Sequence, residues 1–116
     1  MKCEIITTDY FKKVAKPFFK KYKGFDADLE EMINYLEKNP TAGTNLGNNL
    51  YKVRMASKAK GSGKSGGFRI ITYHVEKKVD SLYVNLITIY DKSEEDTIKT
   101  SELKALVKSI INIGNE

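Results

Sequence analysis

The spacing of apolar residues changes once along this chain, near Leu50, and that change limits the folds open to it. Before it, the period is helical. Phe11, Val14, Ala15, Phe18, Phe19 and Tyr22 fall at i, +3, +4, +7, +8 and +11, one face of a helix. Thr7, Thr8 or Asp9 can cap that helix, Pro17 is expected to kink or break it, and Lys23-Gly24 to end it. Asp26 can cap a second helix carrying Leu29, Met32, Ile33 and Leu36, stopped at Asn39-Pro40. Thr41–Asn49 reads as loop. After the change, the period is two. In Leu50–Met55 the residues Tyr51, Val53 and Met55 face one way, and Lys52 and Arg54 the other. Phe68–Val75 and Leu82–Tyr90 are β-rich runs joined by a turn at Glu76–Ser81. A last amphipathic helix carries Leu103, Leu106, Val107, Ile110 and Ile111 and closes at Gly114.

With a short strand at Glu4–Thr7, the expected order is β-α-α-β-β-β-α. Consecutive strands with short connections pair antiparallel. The fold class is therefore α+β: a small antiparallel-rich sheet with two N-terminal helices on one face and a C-terminal helix. The sheet face carrying Lys52 and Arg54 is expected to be at least partly open. Residues 1–116 are expected to form a single domain, a size that buries roughly two-thirds of the unfolded surface. Cys3 is the only cysteine, so neither an internal disulfide nor a cysteine-based metal cluster is available, which suits a reducing cytoplasm. Cys3 is expected to be a strand residue rather than a nucleophile. No apolar run reaches the roughly 18 residues of a membrane span, and no leader is evident.

Charge is distributed unevenly. Residues 38–75 contain no Asp or Glu but hold Lys38, Lys52, Arg54, Lys58, Lys60, Lys64 and Arg69. The flanking segments nearly balance, with seven Lys against seven acids before and six against eight after. The net charge of +5 is thus localised, as in a site for a polyanion. The chain has 18 lysines and two arginines, and both arginines lie in this segment. A guanidinium offers a planar fork for phosphate that an ammonium cannot copy.

Two phosphate motifs are approximated and both fail. Gly61-Ser62-Gly63-Lys64-Ser65-Gly66 spells GxGxxG, and Gly63-Lys64-Ser65 resembles a P-loop end, yet Lys58 stands where that loop needs glycine. Each motif needs a helix after it, and the run from Phe68 is β. The plain reading of the segment is a hairpin loop kept soluble by lysines. Lys52 and Arg54, two apart on a strand, point to one face about 7 Å apart. Arg69, Ile71 and Tyr73 share that face if the next strand pairs accordingly, and the clustered cations would then repel unless an anion lies between them. A solvated outer face is the alternative. His74, the only histidine, falls on the opposite parity to Arg69 and is expected to be structural or solvent-exposed. Asp91, Glu94, Glu95 and Asp96 form one local run, unlike the converging carboxylates of a two-metal site. No metal or other cofactor is expected.

Leu50-Tyr51-Lys52-Val53-Arg54-Met55-Ala56-Ser57-Lys58, then Gly63-Lys64-Ser65-Gly66-Gly67-Phe68-Arg69-Ile70-Ile71, then Leu86-Ile87-Thr88-Ile89-Tyr90-Asp91-Lys92, resemble the RelE/HigB superfamily of bacterial toxins, and its HigB-like branch most. The strand and helix order matches that fold over nearly the whole chain. The resemblance implies the toxin of a type II toxin–antitoxin pair, a ribosome-dependent mRNA endoribonuclease that inhibits translation. It implies a cytoplasmic protein whose partners are the ribosome, mRNA and a cognate antitoxin of helix-turn-helix type. Carried over by position, Lys52, Arg54, Arg69 and Lys92 are the catalytic candidates; Lys58, Lys60 and Lys64 match the basic loop, and Tyr73 and Tyr90 are aromatic members of the RNA-binding set. Lys92 stands where several relatives carry arginine, and a late tyrosine of some relatives has no match near Ser93–Ile98.

The implied reaction is metal-independent attack of a 2′-hydroxyl on the adjacent phosphorus. Arg54 and Arg69 would stabilise charge on the phosphoryl oxygens. Lys52 or Lys92 would move the proton. Two other classes remain open: a toxin of this fold acting on DNA gyrase, and a nucleic-acid-binding module without chemistry. Retention of the basic residues speaks against the first; new RNA termini would exclude the second.

Overall fold

The computed structural model describes residues 2–59, 61, 67–78, 80–93 and 98–114. Strand β1 (Lys2–Thr7) runs parallel to a later strand, β5 (Ser81–Asp91), with Thr7 opposite Leu86. At that point Thr8 starts helix α1 (Asp9–Lys21). Its Oγ1 accepts the Phe11 N–H at 3.1 Å and donates to the Leu86 carbonyl at 2.8 Å. One hydroxyl thus caps the helix and fixes it to the sheet. Of the kink or break expected at Pro17, the break does not occur: α1 runs through it. Pro17 lies on the exposed side, and the carbonyl it cannot pair with belongs to exposed Lys13, where water can replace the lost bond.

Helix α2 spans Phe25–Lys38 and begins one residue before the expected cap, Asp26. Gly24 occupies the cap position with φ 89°, while Asp26 and Asp28 sit in the first turn, where carboxylates complement the helix dipole. The segment 41–49, expected as loop, contains a short strand, β2 (Thr44–Gly47), paired antiparallel with β3 (Leu50–Met55). Strands β4 (Phe68–Lys78) and β5 extend into the segment Glu76–Ser81 expected as a turn. Helix α3 spans Thr100–Gly114.

The sheet order is β1-β5-β4-β3-β2, and the sheet is mixed because β1 joins β5 in parallel. A register shift between Ile71 and Thr72 leaves an extra residue on β5. The bulge changes the facing of β5, so that Leu86 and Ile89 join one core and Ile87 and Tyr90 the other. The first core packs α1 and α2 on one face through Phe11, Ala15, Phe25, Leu29, Met32 and Leu36. Phe68 is fully buried there, its ring 4.9 Å from Phe18 and 5.2 Å from Phe25. Burying such a ring stabilises the fold by about 1.5–3 kcal/mol. The second core sets Leu103 and Val107 of α3 against Leu50, Ile71, Ile87 and Tyr90. The face expected to be at least partly open is covered by α3 at one end.

Candidate active site

Strand parity and register place the two arginines together. Arg54 lies directly opposite Arg69 in the β3–β4 pair, and Arg69 lies directly opposite Tyr90 in the β4–β5 pair. Leu50 and Ile71 belong to the α3 core, so Lys52, Arg54, Arg69 and Tyr73 point to that same side of the sheet. Phe68 and Ile70, buried against the other helices, hold Arg69 from behind. Gly67 tightens the entry to β4: a Cβ there would stand 2.1 Å from the Met55 carbonyl oxygen, so only glycine lets the two strands close below the loop.

The members of this face differ in exposure. Arg54 is exposed, Lys52 and Tyr73 are half-buried, and Arg69 and Tyr90 are only 5% and 6% exposed. Arg69 Nη1 donates to the Phe68 carbonyl at 3.3 Å. The face is thus a floor of two aromatic rings and one buried guanidinium, with a second guanidinium and an ammonium above it. Tyr90 and Tyr73 pack against the α3 core, which leaves less ring surface for a base than the sequence led one to expect.

Lys92 follows the end of β5, half-buried, with its N–H donating to the Gly67 carbonyl at 3.1 Å. Asp91, 2% exposed, holds this turn. Its Oδ2 accepts the Tyr22 hydroxyl at 3.2 Å, and its Oδ1 accepts the Ser93 N–H and hydroxyl at 2.9 and 2.8 Å. Asp91 is thereby engaged in structure rather than presented to solvent. Lys58 is exposed at the other border. Its N–H donates to Asp28 Oδ2 at 3.1 Å, and its Nζ lies 4.0 Å from Glu31. The structure therefore brings Lys52, Arg54, Arg69, Tyr73 and Tyr90 onto one face, with Lys92 and Lys58 at the chain segments that border it. Lys60 and Lys64 lie outside the described residues, as do Glu94, Glu95 and Asp96.

Asp28, Tyr22 and Asp91 were not legible as parts of this site. Each acts over a separation of 30 residues or more, with no local motif to announce it. His74 lies on the opposite side of the sheet, as parity implied, stacked on Tyr51 with ring centroids 4.4 Å apart. Burial lowers its pKa, and a hydrogen bond to the Pro40 backbone opposes the shift. Burial, reinforced by Glu37, pushes the Cys3 thiol up, the reverse of what a nucleophile needs.

Residues 4–113 match a family model described as the RelE toxin of the RelE/RelB toxin–antitoxin system. The fold is similar to the free-state structure of a double arginine-to-alanine mutant of the E. coli toxin RelE. That match has a TM-score of 0.55 and 17% identity, covering 95% of this chain and 99% of the other. No helix among the described residues is long and apolar enough to cross a membrane.

Proposed function

This chain belongs to the RelE toxin family of toxin–antitoxin systems, and from that premise we propose that it is a ribosome-dependent mRNA endoribonuclease of the HigB-like branch that works in the cytoplasm. The observation that carries the reading is the direct opposition of Arg54 and Arg69 on neighbouring strands. The planar fork of each guanidinium suits phosphoryl oxygens, and an anion between them would offset the repulsion of two like charges at adjoining positions.

In the reaction, an RNA 2′-hydroxyl attacks the neighbouring phosphorus. The new bond joins phosphorus to O2′, and the bond to O5′ breaks, leaving a 2′,3′-cyclic phosphate and a 5′-hydroxyl. The nucleophile belongs to the substrate, so the protein supplies orientation and charge. Arg54 and Arg69 stabilise the non-bridging oxygens, where losing one donor typically costs about 100–1,000-fold in rate. Lys52 or Lys92 hands the proton to or from the reacting oxygens. Lys58, Lys60 and Lys64 grip the RNA backbone, and Tyr73 and Tyr90 border the path of the message. The cognate antitoxin, of helix-turn-helix type, is the protein partner.

The test is whether purified chain, added to translating ribosomes, yields new RNA ends with a 5′-hydroxyl, and whether Arg54→Gln and Arg69→Ala lose them. Gyrase inhibition without RNA cleavage would instead favour a toxin of this fold with another target.

A further inference from the structure

Strand β2 stops opposite Lys52, so the Val53–Met55 edge of β3 has no strand beyond it among the described residues. Helix α2 runs alongside that edge. Between them lies a cleft of about 330 Å³. That volume is near the lower end of the roughly 300–1,000 Å³ of small-ligand sites, suited to one planar ring system. Lys52 and Arg54 also line the cleft, at the sheet edge, so it borders the basic face.

Its walls combine the cations Lys52, Arg54 and Lys58 with two carboxylates, Asp28 and Glu31, and an apolar and aromatic side, a mixture that a bare phosphate does not need. Met32 contributes a buried apolar surface, and Tyr35 a ring that is 47% exposed. Aromatic rings of this kind hold unstacked bases of single-stranded RNA. Glu31 also lines the cleft, with a side chain 76% exposed. A carboxylate only accepts hydrogen bonds and repels phosphate, so it calls for a group rich in N–H donors. Its contact with Lys58 Nζ is a long, exposed ion pair at 4.0 Å. Such pairs contribute little, so a competing donor displaces Lys58 at small cost.

We propose that the α2–β3 cleft is a nucleobase subsite that holds the base next to the phosphate on Arg54, guanine in preference to uracil. Guanine presents two adjacent N–H donors on its Watson–Crick edge, matching the two oxygens of Glu31. Uracil presents one N–H between two carbonyls, which the carboxylate repels. Tyr35 supplies the stacking surface for either ring. The assignment rests on the ribonuclease reading for its substrate, but its test does not require cleavage.

The experiment is titration of the chain with guanosine 5′-monophosphate, uridine 5′-monophosphate and inorganic phosphate, following the amide signals of Gly43, Thr44 and Ala56, which line the cleft. Guanosine monophosphate is expected to shift those signals and to bind about tenfold tighter than uridine monophosphate. Tyr35→Ala is expected to weaken guanosine monophosphate about tenfold. Glu31→Gln is expected to bring the two nucleotides together. Both side chains are exposed, so the fold should survive both changes. Equal binding of the two nucleotides by the wild type, or the same shifts with inorganic phosphate, overturns the subsite. Cleavage by Tyr35→Ala and Glu31→Gln with unchanged base preference overturns it while leaving the ribonuclease reading intact. Selective nucleotide binding in the cleft by a chain that never cuts RNA upholds the subsite and removes the ribonuclease reading.

Discussion

Arg54 and Arg69 stand directly opposite each other across the β3–β4 ladder, one exposed and the other 5% exposed. Like charges at such positions destabilise a sheet. Arg54→Gln should therefore raise the free energy of unfolding by about 0.2–1 kcal/mol. The same change should slow RNA cleavage by about 100–1,000-fold. Urea titration beside a single-turnover cleavage assay checks both. A variant that is both less stable and fully active would mean that the pair serves the fold rather than the chemistry.

The loop lysines should act on binding. Replacing Lys58, Lys60 and Lys64 together with alanine removes up to three phosphate contacts. The slope of log affinity against log salt should fall by roughly 2 for a single-stranded ligand. Binding measured at several salt concentrations gives the slope. An unchanged slope would assign these lysines to solubility alone.

Asp91 should matter well beyond its own position. It is buried and accepts hydrogen bonds from Tyr22 on α1 and from Ser93 in the turn that follows Lys92. Asp91→Ala should cost roughly 3 kcal/mol of stability, and Tyr22→Phe about 1.5 kcal/mol. Tyr22→Phe should also reduce kcat more than KM, because Lys92 loses its fixed position while the rest of the face is unchanged. Thermal unfolding and steady-state kinetics separate the two effects; a stability loss with unaltered kcat would confine the clamp to structure.

His74 should make stability depend on pH. Its folded pKa lies below the ordinary value of 6.5, because burial disfavours the charged ring. The unfolded chain then takes up a proton more readily than the folded one. The stabilising contribution is complete above the unfolded pKa and is lost as pH falls from there towards the folded pKa. His74→Phe keeps a ring beside Tyr51 and removes the titration, so its unfolding midpoint should fall less than that of the wild type between about pH 7 and pH 5. Parallel curves for the two proteins would contradict this.

The parts of this protein legible in its sequence are those set by local period. The helical spacing from Phe11 to Leu36 and the alternation of Leu50–Met55 placed α1, α2 and β3. Parity separated His74 from Arg69 within β4, but whether Arg69 shares a face with Lys52 and Arg54 depended on the β3–β4 register, which the structure supplies. The missing parts depend on distant partners. Strand β2 is a Thr-Asn-Leu-Gly segment with no β-rich run, and its pairing with β3 defines it. The parallel union of β1 and β5 joins segments 79 residues apart, as Lys2 with Ser81. The cover that α3 places over Ile71 and Tyr90 depends on tertiary docking, which the amphipathic period of Leu103 and Val107 does not aim.

Ribonuclease activity at the Arg54–Arg69 face can be read by inducing this chain alone in bacteria and mapping new mRNA 5′ ends, with Arg69→Ala beside it. The expected result is cuts inside translated codons that disappear in the variant and when translation is blocked. Wild-type cutting by Arg69→Ala, or growth arrest with no new ends, would contradict it.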